Sequence, residues 1–209
     1  IKFRNGDLEV TAGDTIVLLS DQANNAAYIG KVPETSSISG TFRFQRYMPT
    51  ISTSVPSGSG QGVGWRYIGS PVTGATFNDI TDDFTTTGFT GSTFPNYTNF
   101  DGYYFPNVQK YDESPQGAQS FGFDGDYFTG PTNTATTPPN IRNRRDASES
   151  ISPGEGVFAY IGPVEATLDF SGTPHVGDLN YNLSLTDNGL PTQDGWNLVA
   201  NPYACPVFM

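Results

Sequence analysis

Apolar residues along this chain fall in short runs broken by polar ones, and no run sustains the 3.6-residue period of a helix. The clearest is TFRFQRYM (Thr41–Met48), where Phe42, Phe44 and Arg46 share one parity and Arg43, Gln45 and Tyr47 the other. TIVLLS (15–20), AAYIGKV (26–32), WRYIGSPV (65–72), GEGVFAYIG (154–162), ATLDFSG (166–172), LNYNLSL (179–185) and GWNLVANP (195–202) carry the same mark. They are rich in β-branched or aromatic residues and bounded by Gly, Pro, Asn and Asp, which reads as strands. Asn5-Gly6 tolerates the positive φ angles of a type I′ turn and predicts a hairpin within IKFRNGDLEV. GYYFPNVQKYDES (102–114) reads as strand, turn at Pro106-Asn107, and strand; FNDITDDF (77–84) reads as a single helical turn. The uncharged stretch 49–62 and the polar stretch 115–149 read as loops. The pattern predicts an all-β chain of about ten or more strands, an antiparallel β-sandwich of jelly-roll type with long irregular loops. Residues 1–39 form an N-terminal hairpin segment packed on, or leading into, a sandwich of residues 40–209.

Two of these runs share a frame. GWRYIGSPVTGATF (64–77) and GWNLVANPYACPVF (195–208) each give Gly-Trp, a polar residue, two apolar residues, a small residue, Ser or Asn, and Pro. They hold the chain's two tryptophans. A large ring gains most when buried, and Pro ends a strand at a fixed point. Trp65 and Trp196 are therefore expected in the core, one on each of two corresponding strands. The competing reading makes them exposed platforms for sugar rings.

Composition sharpens the picture in three places. Aromatics make up 13% against 35% for all hydrophobic residues, so rings must fill much of the core. The net charge of −11 argues against nucleic acid and anionic membrane surfaces as partners, because both require a basic face. No apolar run reaches the roughly 18 residues of a membrane-spanning helix, so no membrane insertion is expected. A single cysteine, Cys205, excludes an internal disulfide, and a single histidine, His175, excludes a His-based metal cluster. The chain begins at Ile1 without a leader and reads as a trimmed product or a fragment.

Candidate chemistry is sparse. Asp79, Asp82 and Asp83 crowd three carboxylates together, and a Ca²⁺ ion would relieve their repulsion; the competing reading is a solvated loop with an Asp capping the helical turn. Asp124 and Asp126 open a Ca²⁺-loop pattern, but Thr129 and Ala135 stand where an EF-hand needs Gly and Glu, so only a looser Ca²⁺ loop or a Gly-centred turn remains. Ca²⁺ is the only cofactor these residues suggest. Glu155 and Glu165 flank one strand and would lie about 30 Å apart, too far for paired glycosidase carboxylates. His175 has no nucleophile partner in any recognisable motif and reads as a surface residue, and Cys205 as an ordinary small buried one. Arg142–Arg145 reads as a solvated loop tip. Asn96-Tyr97-Thr98 and Asn182-Leu183-Ser184 fit the N-glycosylation triplet, which matters only in a eukaryotic secretory route.

The series WRYIGSPV, PGEGVFAYI, TLDFSGTPHVGDLNYNLS and GWNLVANPY, over residues 40–209, resembles a β-sandwich module of large Bacteroidetes surface proteins exported by type IX secretion. The resemblance implies an extracellular or cell-surface location and a structural or adhesive role, with no catalytic residues to carry over. It also implies strands beyond Met209, so the domain is expected to be incomplete at its C-terminus. Asp14-Thr15-Ile16 is similar to an O-glycosylation acceptor of that group, which makes Thr15 a candidate. Three functions follow: a non-catalytic structural or adhesive module, a carbohydrate-binding module or accessory domain of a secreted glycan-active enzyme, or a subunit of a self-assembling surface filament or layer. Expected partners are other domains of the same large protein, neighbouring surface subunits and glycans. Solvent-exposed Trp or Tyr in a row on one sheet face would favour the glycan reading.

Overall fold

The computed structural model describes residues 1, 6–21, 25–50, 64–98, 106–111, 128–129, 146–185 and 197–206. In chain order the elements are β1 (Leu8–Glu9), β2 (Thr15–Leu18), β3 (Ile38–Ser39), β4 (Thr41–Met48), β5 (Trp65–Ile68), β6 (Val72–Thr73), a 3-10 turn (Phe77–Ile80), β7 (Val108–Tyr111), β8 (Phe128–Thr129), β9 (Val157–Tyr160) and β10 (Ala166–Pro174). The fold is all-β. One four-stranded sheet has the order β2-β4-β10-β6, a second β5-β9-β7-β8, and β1 with β3 forms a two-stranded ribbon; none closes on itself.

β4 and β10 form the longest ladder, antiparallel, with Phe44 opposite Phe170 and Arg46 opposite Leu168. Their alternation places Phe42, Phe44, Leu168 and Phe170 on the inner face. Gly172 lies where β10 passes from β4 to β6, and a Cβ there would run into the Thr73 carbonyl. Two pairings differ from the antiparallel expectation: β2 runs parallel to β4, and β1 parallel to β3. The chain from Leu19 to Gly40 is long enough to return to the same end of the sheet, as parallel pairing requires.

WRYIGSPV is two strands rather than one. β5 ends at Ile68, and after Gly69-Ser70-Pro71 the chain enters the other sheet as β6. Buried Ser70 ties this crossing: its Oγ donates to the Val72 carbonyl (3.1 Å) and accepts from the Val72 N–H (3.2 Å). LNYNLSL forms no strand. Leu183 and Leu185 are 65% and 77% exposed, because alternation alone cannot hold a strand with no neighbour to pair with. Of GWNLVANP, Gly195 and Trp196 lie outside the described residues, and Val199 makes one antiparallel bridge to Glu155. The Asn5 side of the expected hairpin also lies outside the described residues.

A single hydrophobic core draws on both four-stranded sheets. Phe42, Phe44, Leu168 and Phe170 come from one, and Ile68, Val108, Val157 and Ala159 from the other. Val10, Leu18, Ile29 and Ile38 join it, so residues 1–39 share this core. Phe77, Ile80, Phe89 and Ile151 fill it from the connections and are fully buried.

Candidate functional site

Trp65 is not in the core, which corrects the expectation for it. On β5 the buried side chain is Ile68, with Arg66 sharing its parity, so Trp65 and Tyr67 stand on the outer face. β9 is antiparallel to β5 and pairs Tyr160 with Trp65 and Phe158 with Tyr67, so its two aromatic residues share that face while Val157 and Ala159 point inward. The rings stack in a row. Trp65 lies on Phe158 at 4.3 Å between centroids and 12° between planes, and Phe158 lies on Tyr67 at 4.9 Å and 29°. Tyr160 closes the other end edge-on to Trp65 at 5.4 Å. The small inner residues of β9 leave the bulk of this sheet to its outside. Arg66, inward in parity, reaches back to the carbonyl of Pro49 at 3.1 Å.

Tyr67 is the most exposed of the four: Phe158 stacks on one face of its ring, and the residue is 67% exposed. It stands at a cleft of about 490 Å³ lined by both sheets and by residues 26–28 and 198–206. The floor is apolar, with Phe44, Met48, Ile68, Leu168 and Phe170. Tyr28 and Tyr203 add two further phenols, and Gln45, Arg46 and Asn201 supply polar groups. The volume lies within the range of small-molecule sites, and an apolar bed with a few polar groups is their usual make-up. Arg46 takes no part in the ion pairs among the described residues, which are Arg43 with Asp169 and Lys110 with Glu149 and Glu155.

The acidic trio does a different job. Asp79 Oδ2 accepts from the Thr76 N–H (2.7 Å) and the Thr76 hydroxyl (3.2 Å), fixing the start of the 3-10 turn. Its Oδ1 accepts from the Ser171 N–H (3.0 Å), and Asp83 Oδ2 accepts from the Asp169 N–H (2.8 Å). Residues 169 and 171 aim these N–H groups away from β4, toward an edge that β6 covers only at Thr173 and Pro174. Two carboxylates therefore stand where a further strand would. Burial pushes the Asp83 carboxyl up to about 7, against the pull of the Asp169 N–H, with nearby Asp169, Asp82 and Asp79 adding to the rise. Asp82 is exposed. The three do not gather into a cation cage; among the described residues no three His, Cys, Asp or Glu side chains do.

The second sheet holds its own charged group inside. Lys110, on β7, is buried, with Nζ 2.6 Å from Glu155, 3.2 Å from Glu149 and 2.8 Å from the Ser150 carbonyl, and 5.4 Å over the Phe77 ring. Just before β7, buried Asn107 is fully used. It donates to the carbonyls of Thr85 (2.8 Å) and Tyr160 (2.9 Å) and accepts from the Thr87 N–H (2.7 Å). Glu165, at the far end of β9 from Glu155, accepts from the Tyr47 hydroxyl at 2.7 Å.

The remaining candidates are scattered. Asp124, Asp126, Trp196 and Arg142–Arg145 lie outside the described residues. Thr15 is exposed at the start of β2. His175 is only half-buried, but its Nε2 is enclosed without a hydrogen-bond partner beside a second cavity of about 390 Å³. Half-buried Cys205 lines both cavities. Neither Arg46 nor Tyr67 stood out in the sequence; the signal was the matched parity of aromatics in WRYI and VFAY, which predicts one ring-bearing face. Comparison with protein-family models, with curated proteins and with solved structures finds no match.

Proposed function

We propose that this chain is a non-catalytic, extracellular adhesive module of a bacterial surface protein, its two four-stranded sheets packed as a sandwich, and that it adheres by holding glycan at the Tyr67 cleft. The observation that carries the reading is the exposed ring of Tyr67, stacked on Phe158, which is itself stacked on Trp65, at a cleft that Gln45, Arg46 and Asn201 also line. A flat, rigid phenol beside amide and guanidinium groups suits a pyranose ring, which offers an apolar face and a rim of hydroxyls. The sandwich is supported by the one core that both sheets share. The non-catalytic reading is supported by the carboxylates themselves: Asp79, Asp83, Glu149, Glu155 and Glu165 each hold a backbone N–H, Lys110 or a tyrosine.

The test is a polysaccharide panel read by affinity electrophoresis and calorimetry. The wild-type chain should bind at least one glycan saturably. Tyr67→Ala should weaken it roughly 10-fold or more while the melting temperature moves little, since Tyr67 is mostly exposed. Failure of the wild-type chain to bind any member of a broad panel would sink the proposal.

A further inference from the structure

The chain carries 21 acidic side chains against ten Lys and Arg, so a random patch of its surface should contain carboxylates. The Tyr67 cleft contains none among its described lining residues, and its one charged group is Arg46. The smaller cavity makes the contrast: Glu34 and Asp178 line it together with Lys31 and His175. Arg46 is also uncommitted. It stands on β4 at the parity of Phe42 and Phe44, opposite Leu168, with no ion pair or hydrogen bond among the described residues. Its neighbour Arg43, on the other face, pairs with Asp169 at 3.7 Å. A guanidinium left free over an apolar bed, in a chain with acids to spare, is arranged to receive an anion from outside.

We infer that the cleft selects acidic glycans, with Arg46 paired to a carboxylate or sulfate of the sugar while Tyr67 stacks on a ring. This rests on the glycan reading above and narrows it. The planar fork of Arg fits a carboxylate through two parallel hydrogen bonds, which a neutral sugar cannot return. Long-range electrostatics runs the other way: a net charge of −11 repels a polyanion. Any preference for acidic sugar must therefore arise at short range, and removing one side chain should erase it. An acidic peptide such as poly-glutamate offers the same carboxylate but lacks a ring for Tyr67 to stack on.

The experiment compares polygalacturonate with its fully methyl-esterified form, which keeps the backbone and removes the charge. A sulfated galactan, dextran and poly-glutamate complete the set. The wild-type chain should bind polygalacturonate, the sulfated galactan or both at least roughly 10-fold more tightly than the esterified polymer or dextran, in line with the strength of charge-assisted hydrogen bonds. Which of the two anions wins identifies the group that Arg46 holds. Arg46→Gln should abolish that preference, and Arg46→Lys should keep part of it. Equal binding of both anionic polysaccharides and the neutral polymers, an unchanged preference in Arg46→Gln, or tighter binding of poly-glutamate than of any polysaccharide would each overturn the inference. Equal binding would leave the glycan reading standing; absence of binding to every polysaccharide would remove both.

Discussion

Each of the two four-stranded sheets takes charge out of water, and each settles it differently. On β7 the buried cation is Lys110, and two carboxylates, a backbone carbonyl and a ring face surround its ammonium group. At the β10 edge the buried charge is Asp83, and its hydrogen bond comes from a neutral backbone N–H. Its other close electrostatic neighbours are themselves acidic: Asp169, Asp82 and Asp79. Arg43 lies 3.7 Å from Asp169 rather than on Asp83. Desolvation therefore dominates at Asp83 and raises its carboxyl to about 7. Burial sets the penalty in both sheets, and the sign of the neighbours decides whether it is met by pairing or by holding a proton.

Substitutions at three residues probe that contrast. The largest effect belongs to Lys110→Ala, which leaves Glu149 and Glu155 facing one another beside an empty slot. A cost of about 3 kcal/mol in urea unfolding is expected, at the lower end for a broken buried ion pair because both carboxylates are about a third exposed. A cost below about 1 kcal/mol would mean that the cluster is solvated and that the two sheets do not differ in this way. Next comes Asp79→Ala, which frees the N–H groups of Thr76 and Ser171 and should cost about 1–2 kcal/mol. Asp79→Asn, which keeps an acceptor oxygen, should recover part of it. If both variants unfold like the wild type, carboxylates are not what finishes the β10 edge.

The smallest effect is the pH dependence carried by Asp83. Its folded value of about 7 exceeds the roughly 3.9 of an unfolded Asp, so the folded chain binds more protons in between. The stability that Asp83 contributes is present at low pH and falls as pH rises from about 4 to about 7, then levels off. Asp83 is only partly buried, so the swing is set at about 1 kcal/mol or less. Asp83→Asn should flatten the change in urea midpoint between pH 5 and pH 8, and should be more stable than the wild type at pH 8. An identical slope in both proteins would remove Asp83 as its source.

The inner half of the fold was legible in the chain. Thr41–Met48 alternates cleanly and forms β4 over those same residues, and GVFAY and ATLDFSG hold β9 and most of β10. The parity rule separates two faces but does not say which one turns inward. For Trp65 and Tyr67 against Arg66 and Ile68, size and polarity pointed the wrong way. The choice was made by β9, whose Val157 and Ala159 meet the core and carry Phe158 and Tyr160 outward. LNYNLSL shows the second limit: a strand is a property of a pair, and its pattern found no partner. The cleft was illegible for a third reason. Gln45 with Arg46, Tyr67, and Asn201 come from three separate parts of the chain, and only packing brings them to one cleft.

The pairing of β4 with β10 bears on when this protein can fold. Thr173 Oγ1 donates to the Gly40 carbonyl across 133 positions of sequence, and the central ladder closes over a similar span. While the chain is being made, β4 waits with its β10 side unpaired until Ala166–Pro174 has followed. High sequence separation of this kind makes folding slow, because a long loop must close before any contact repays it. Until Ala166–Pro174 has been made, the β10 side of β4 is an open strand edge on which another chain could pair.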